Sequence, residues 1–319
     1  MPVMAKQKPP APIQAAPNGS ILSTAVPVTS LREMHLKVCV YGRNRVGKTT
    51  LACQFPKPLL IVSFEPEING GAMSVSKMEG VHFLRINHKK LRSADGELEK
   101  YSGSAKAVVL ANELQVNNPF KTVVIDTVTS LQEIIFTELM GLPNVPEMLS
   151  WGIAGDTLYQ QRAEKTRETL RRFMDLNTSH VVFLAQEKDH NPVIGDRGKS
   201  KILMTMQQQS FFAADLGGTN ARWLQDGCGY VLQLYEDEIK TEITIPGQKG
   251  PDGRMMPAST ELVGTGKRGR HLRCLYHPNF AGGFRSPNPD VVPEFITAKT
   301  PWEMYEKFMK LTQGIAVKV

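Results

Sequence analysis

A chain of 319 residues, 41% hydrophobic and 22% charged, has the composition of a globular protein of one large or two modest domains. Its formal net charge of +7 and isoelectric point near 9.2 favour polyanionic partners, nucleic acid first. No apolar run of membrane-spanning length occurs, no signal-peptide core stands at the start, and Cys39, Cys53, Cys228 and Cys274 are scattered, so a membrane span, a secreted chain and a disulfide framework are all excluded as expectations in favour of a cytoplasmic protein with reduced thiols.

Residues 1–30 are rich in Pro, Ala, Gln and Ser without a period of 2 or 3.6, the pattern of a disordered tail, with a single domain expected over 31–319. From there strands and helices are predicted to alternate. Residues 35–41, HLKVCVY, read as a strand entering a glycine loop, and TTLACQF as a short helix stopped by Pro56. Residues 58–64 and 81–86 are short apolar runs expected as strands buried on both faces. Helical spacing follows over 103–115, a strand over 121–126, a helix over 130–141 with Gly141 at its end, and a long amphipathic helix over 156–177. Residues 180–186, HVVFLAQ, are the next buried strand. This order predicts an α/β fold with a mostly parallel, helix-covered sheet.

After Gln186 the texture changes. Residues 187–215 lack a period and are expected as a long loop or mobile hairpin, and 216–319 as a C-terminal elaboration. Within the latter, 229–235, 240–245 and 270–276 read as added antiparallel strands. Residues 300–314 read as a closing helix, capped by Thr300 and stopped by Gly314.

The loop at 42–49, Gly42-Arg43-Asn44-Arg45-Val46-Gly47-Lys48-Thr49, fulfils G-x-x-x-x-G-K-[ST] between a strand and a helix. Glycines let backbone N–H groups converge on phosphate oxygens, and the following helix, through Thr50 and beyond, presents its positive end to the same anion. Lys48 is placed to reach the β- and γ-phosphates and the Thr49 hydroxyl to ligate Mg²⁺. Asp126, ending a buried strand, suits the metal side of such a site; it equally suits a helix cap, and the two roles are compatible. Hydrolysis needs a group that activates water. Glu65, just past the strand 58–64, is the first candidate for general base and Glu67 the competing one. Gln186, at a strand end on the same edge, suits a γ-phosphate sensor, or is simply a polar residue ending a strand.

This succession resembles the RecA family, and more closely the small phage-encoded RecA-like ATPases linked to single-strand annealing and recombination. The resemblance rests on YGRNRVGKTTLACQFPKPLLIVSFE, VVIDTVTSL and the strand ending in Gln186, and covers roughly 35–190. It implies a RecA-like core, ATP with Mg²⁺, a homo-oligomeric ring or filament with ATP between subunits, single-stranded DNA as partner, other recombination or replication proteins as further partners, and the host cytoplasm as location. It also implies that the loop after Gln186 faces DNA. There Lys188, His190, Arg197, Lys199 and Lys201 would neutralise phosphates, and Phe211 and Phe212 would stack on bases or lie in the core. A second basic cluster, Lys267, Arg268, Arg270 and Arg273, is a candidate for DNA contact or for a cation supplied in trans to a neighbour's ATP, the separate Arg285 is another trans candidate, and a plain solvated basic surface is the alternative. His271, Cys274 and His277 are too few and too poorly patterned for zinc. Rival readings are a helicase or DNA-translocating motor of the same superfamily, a nucleotide-dependent scaffold, and a small-molecule kinase.

Overall fold

The computed structural model describes residues 35–64, 71–90, 99–142, 156–189, 212–214, 220–245, 259–277 and 280–317. The tail 1–30, Glu65, Glu67, His190, Arg197, Lys199, Lys201 and Phe211 lie outside the described residues.

Among the described residues ten strands form one sheet system. In chain order they are β1 (Lys37–Gly42), β2 (Leu59–Ser63), β3 (Val81–Arg85), β4 (Thr122–Asp126), β5 (His180–Asp189), β6 (Phe212–Ala214), β7 (Tyr230–Ile245), β8 (Ser259–Arg273), β9 (Gly283–Phe284) and β10 (Phe295–Ala298). Their spatial order is β10-β8-β7-β1-β5-β4-β2-β3, with β6 on β5 and β9 on β7. From β3 to β7 the neighbours run parallel; β8 and β10 pair antiparallel at the other end. The expected α/β class, a mostly parallel helix-covered sheet with antiparallel C-terminal strands, is the architecture found.

The apolar runs explain this arrangement. Along β1, Cys39 and Tyr41 face a core shared with α3 (Gly103–Val116), α4 (Val128–Leu139), α5 (Asp156–Met174) and α6 (Asn220–Gly227). Val38 and Val40 face the opposite core, shared with α1 (Lys48–Ala52) and α7 (Pro301–Thr312). A strand covered on both faces gains from apolar residues at every position, hence LLIVS and TVVID rather than alternation. Thr300 caps α7 by accepting the Glu303 N–H, as read from the sequence.

Three expectations are corrected and one pair of alternatives is narrowed. The run 81–86 is the edge strand β3, not a strand buried on both faces: its one strand partner is β2, and His82 and Phe83 are exposed. Of the two alternatives for 187–215, residues 187–189 follow the hairpin: they prolong β5 and pair antiparallel with β6 at Phe212–Ala214. The separate runs 229–235 and 240–245 are one strand, β7. The third C-terminal strand runs over Ser259–Arg273, well before the expected 270–276, because it pairs with β7 along most of that strand's length. A short helix α2 (Gly71–Val75), α6 and β10 carried no sequence reading.

Candidate functional site

The glycine loop leaves the carboxyl end of β1, the strand flanked by β5 on one side and β7 on the other. The chain turns through α1 toward β2 on the first side, and reaches β7 on the second. In an open α/β sheet such a divergence opens a crevice at the strand ends where ligands sit.

The sequence of the loop is dictated by space and by backbone angle. At Gly42 a Cβ would stand 2.1 Å from the Leu234 carbonyl oxygen of β7, so no side chain fits. Gly47 has φ +100°, a left-handed conformation that glycine adopts without strain. Arg45 also has a positive φ, 65°, an uncommon state for a residue with a side chain and one that recurs at ligand-binding turns.

Three side chains converge on this loop. Lys48 is almost wholly buried, and its ammonium donates to the carbonyls of Gly42 at 2.8 Å and Arg43 at 2.9 Å, so it lies across the loop's own mouth. Thr49 donates its hydroxyl to Oδ2 of Asp126 at 2.9 Å. Asp126 is 5% exposed at the tip of β4. The cap of α4 falls to Thr127, whose hydroxyl accepts the Ser130 N–H at 3.1 Å. Asp126 therefore does not serve as that helix's cap.

Gln186 stands opposite Gly42 in the β1–β5 register, and its N–H donates to the Thr129 hydroxyl at 3.3 Å. Strand β5, lying between β1 and β4, thus brings Gln186 to the loop's first residue. Glu65 lies outside the described residues, but the chain leading to it is anchored at the site: the Phe64 N–H donates to the Asp126 carbonyl at 2.8 Å, and Ser63 pairs with Asp126.

Sequence reasoning missed a polar chain along the same edge. Glu187, the residue after Gln186, points to the opposite face of β5. Its side chain is 6% exposed, lies 3.5 Å from the Arg43 guanidinium, and accepts from Gln233 Nε2 at 2.8 Å. Gln233 in turn accepts from Arg273 Nε at 3.3 Å, and Arg273 pairs with Glu294. Burial, reinforced by the Glu187 carboxylate, pushes the neighbouring Tyr41 phenol well above its usual range, and its hydroxyl donates to the Ala281 carbonyl. The signal was strand alternation: a charged residue beside Gln186 in a buried strand must find partners on the other face.

The remaining candidates are scattered. Arg273 is buried, its guanidinium 5.4 Å from the Tyr235 ring and 4.7 Å from the Phe280 ring, so its grouping with a basic surface is corrected. Arg270 approaches the phosphate loop: two guanidinium atoms stand 3.5 Å from where a Cβ on Gly47 would be. Lys267 and Arg268 are exposed on β8. Lys188 lies in β5, paired with Ala213 of β6. Arg285 is exposed and donates its N–H to the Gly229 carbonyl, near the amino ends of β1 and β7, the edge opposite the loop. Burial pushes the thiols of Cys39, Cys53 and Cys274 up to about 12, and raises that of Cys228 well above its ordinary value, so all four free cysteines stay protonated. Among the described residues no three His, Cys, Asp or Glu side chains are grouped to hold a metal.

A hydroxyl and a carboxylate 2.9 Å apart are hard oxygen donors of the kind Mg²⁺ takes when phosphates and water complete its shell. The residues present fit that ion: Thr49 and Asp126 would hold it, and Lys48 would bind phosphate. The family model for the AAA domain matches residues 34–271, which includes the loop, Asp126, Gln186 and the root of β8.

The chain belongs to the AAA domain family. It is thus an AAA-type P-loop ATPase domain, and the match spans Lys48, Thr49 and Asp126. No curated protein matches this AAA domain chain. Among solved structures it is similar to the flagellar accessory protein FlaH from Methanocaldococcus jannaschii, at 9% identity and a TM-score of 0.34, over 82% of this chain and 84% of that one. Among the described residues no helix of this AAA domain protein is long and apolar enough to cross a membrane.

Proposed function

We propose that this AAA domain protein is a Mg²⁺-dependent ATPase that binds single-stranded DNA as a homo-oligomer and supports phage-type recombination or annealing. The observation that carries the nucleotide half is the hydrogen bond from Thr49 to Asp126 at 2.9 Å beside a buried Lys48: one metal pair and one phosphate cation at the mouth of one loop. Lys48 leaves the carbonyls of Gly42 and Arg43 for the phosphates when nucleotide enters. Thr49 and Asp126 would hold the metal, which when bound would supply positive charge beside the phosphates. Glu65 orients and deprotonates the attacking water, and Gln186 reads the γ-phosphate from the end of β5.

The DNA half draws support from the net charge of +7 and from Lys267 and Arg268, exposed on β8. Cations in such positions neutralise phosphates without reading sequence. The test is an ATPase assay with no polymer, single-stranded DNA, double-stranded DNA or RNA. Stimulation by single-stranded DNA is the expected outcome. Turnover that depends on a small phosphoryl acceptor and ignores every polymer would replace this reading with a kinase.

A further inference from the structure

Strand β8 holds the phosphate loop from both faces of the sheet. Arg270 lies on the α1 face, with Leu272, and its guanidinium packs against Gly47 near the loop's end. Arg273 lies on the opposite face and reaches Arg43, near the loop's start, through Gln233 and Glu187. Beyond this root β7 and β8 leave the sheet. Pairing of β7 with β1 ends at Gln233, and pairing of β8 with β10 ends at Arg270. From Asp237 to Ile245 and from Gly269 back to Ser259 the two strands pair with each other as a ribbon. Among the described residues no third strand joins it. Its base carries the exposed Lys267 and Arg268.

Arg270 and Glu236 are direct partners across the root of the ribbon, Nε to Oε1 at 3.2 Å, and both side chains are close to half exposed. An ion pair that exposed is weak. A nucleoside triphosphate brings several negative charges to the loop against which Arg270 already rests, and a guanidinium fork matches phosphate oxygens in two-point fashion.

We propose that Arg270 is a phosphate-binding group supplied in cis, and that it exchanges Glu236 for the bound nucleotide, so that occupancy of the loop is read at the root of the β7–β8 ribbon. This rests on the nucleotide reading above. It moves Arg270 from the basic surface to the nucleotide site and makes the ribbon the element that senses the ligand. Glu236 is then a competitor that holds Arg270 in reserve.

The test uses the full chain and titrates ATP with Mg²⁺ by calorimetry, with circular dichroism checking the fold of each variant. Losing one charge-assisted contact predicts binding weaker by about tenfold or more in Arg270→Ala, with part of the loss restored in Arg270→Lys. Glu236→Gln removes the competitor, so binding tightens by a few-fold; a merely structural ion pair would leave affinity unchanged or lower it. Hydrogen exchange over 236–245 and 259–270 is read in parallel. It changes with ATP in the wild type and not in Arg270→Ala. Wild-type affinity in both Arg270→Ala and Glu236→Gln, or a ribbon indifferent to ATP in the wild type, overturns the proposal while the loop still binds. A wild-type chain that takes up no ATP overturns the nucleotide reading itself, and is told apart by that first titration.

Discussion

Gly42→Ala is the sharpest test of how the loop is seated. The added methyl carbon would stand 2.1 Å from the Leu234 carbonyl oxygen and 3.3 Å from Val46 Cγ1, against an ordinary contact of 3.4 Å or more. The obstacle is backbone one residue past the last β1–β7 pair, Tyr41 with Gln233, where Leu234 is still paired with Leu272 of β8, so no flexible side chain can yield. Relief requires β1 and β7 to part by roughly 1 Å, and overpacking of that kind costs about 1–3 kcal/mol. The parting also drags the loop away from Lys48 and from the Gln186 register. Urea denaturation and ATP titration on the same samples should show both losses together. Gly141→Ala is the control: its φ is +64° but nothing lies within 4 Å of the added carbon, so it suffers backbone strain of about 1 kcal/mol and keeps full ATP affinity. Wild-type stability and affinity in Gly42→Ala would refute the packing of β7 against the loop.

Asp126→Asn should preserve the fold, because an amide oxygen can still accept the Thr49 hydroxyl, while Mg²⁺-dependent turnover falls by about a hundredfold as the metal loses its charged ligand; turnover within twofold of wild type would remove Asp126 from the metal. Glu65→Gln should retain bound ATP and stop hydrolysis, measured by single-turnover assay, and the same phenotype in Glu67→Gln alone would transfer the base to that residue. Burial, with His35 and Lys37 adding to it, lowers the His180 pKa from 6.5 to about 4, and its Nδ1 accepts the Leu36 N–H at 3.0 Å. The unfolded chain therefore takes up a proton that the folded chain refuses: stability is full above pH 6.5, declines as pH falls to about 4, and is level below. Discounted for a ring that is only partly buried, the loss is about 1–2 kcal/mol, and His180→Gln should flatten the slope in denaturation series across that window.

The parts of the molecule legible in the sequence are those governed by local rules. The glycine loop, the buried strands and the cap at Thr300 each follow from contiguous residues, and Asp126 was placed because it ends an apolar run. What stayed hidden depends on partners distant in sequence. Phe83 looks like a core residue until the strand order leaves β3 at an edge. Arg273 looks like surface until Gln233 and Glu294 close around it, and Arg270 acquires its place only because β8 pairs with β7 beside Gly47. The length of β7 and β8 was equally non-local, since each run of residues stays extended through its pairing with the other.

The central claim is that one loop holds ATP with Mg²⁺ through Lys48, Thr49 and Asp126. Calorimetric titration of the wild type and of Lys48→Ala with a non-hydrolysable ATP analogue, with and without Mg²⁺, tests it most directly. One molecule bound per chain, tighter with Mg²⁺ and lost in Lys48→Ala, is the predicted result; equal binding by both proteins, or binding indifferent to the metal, would contradict it.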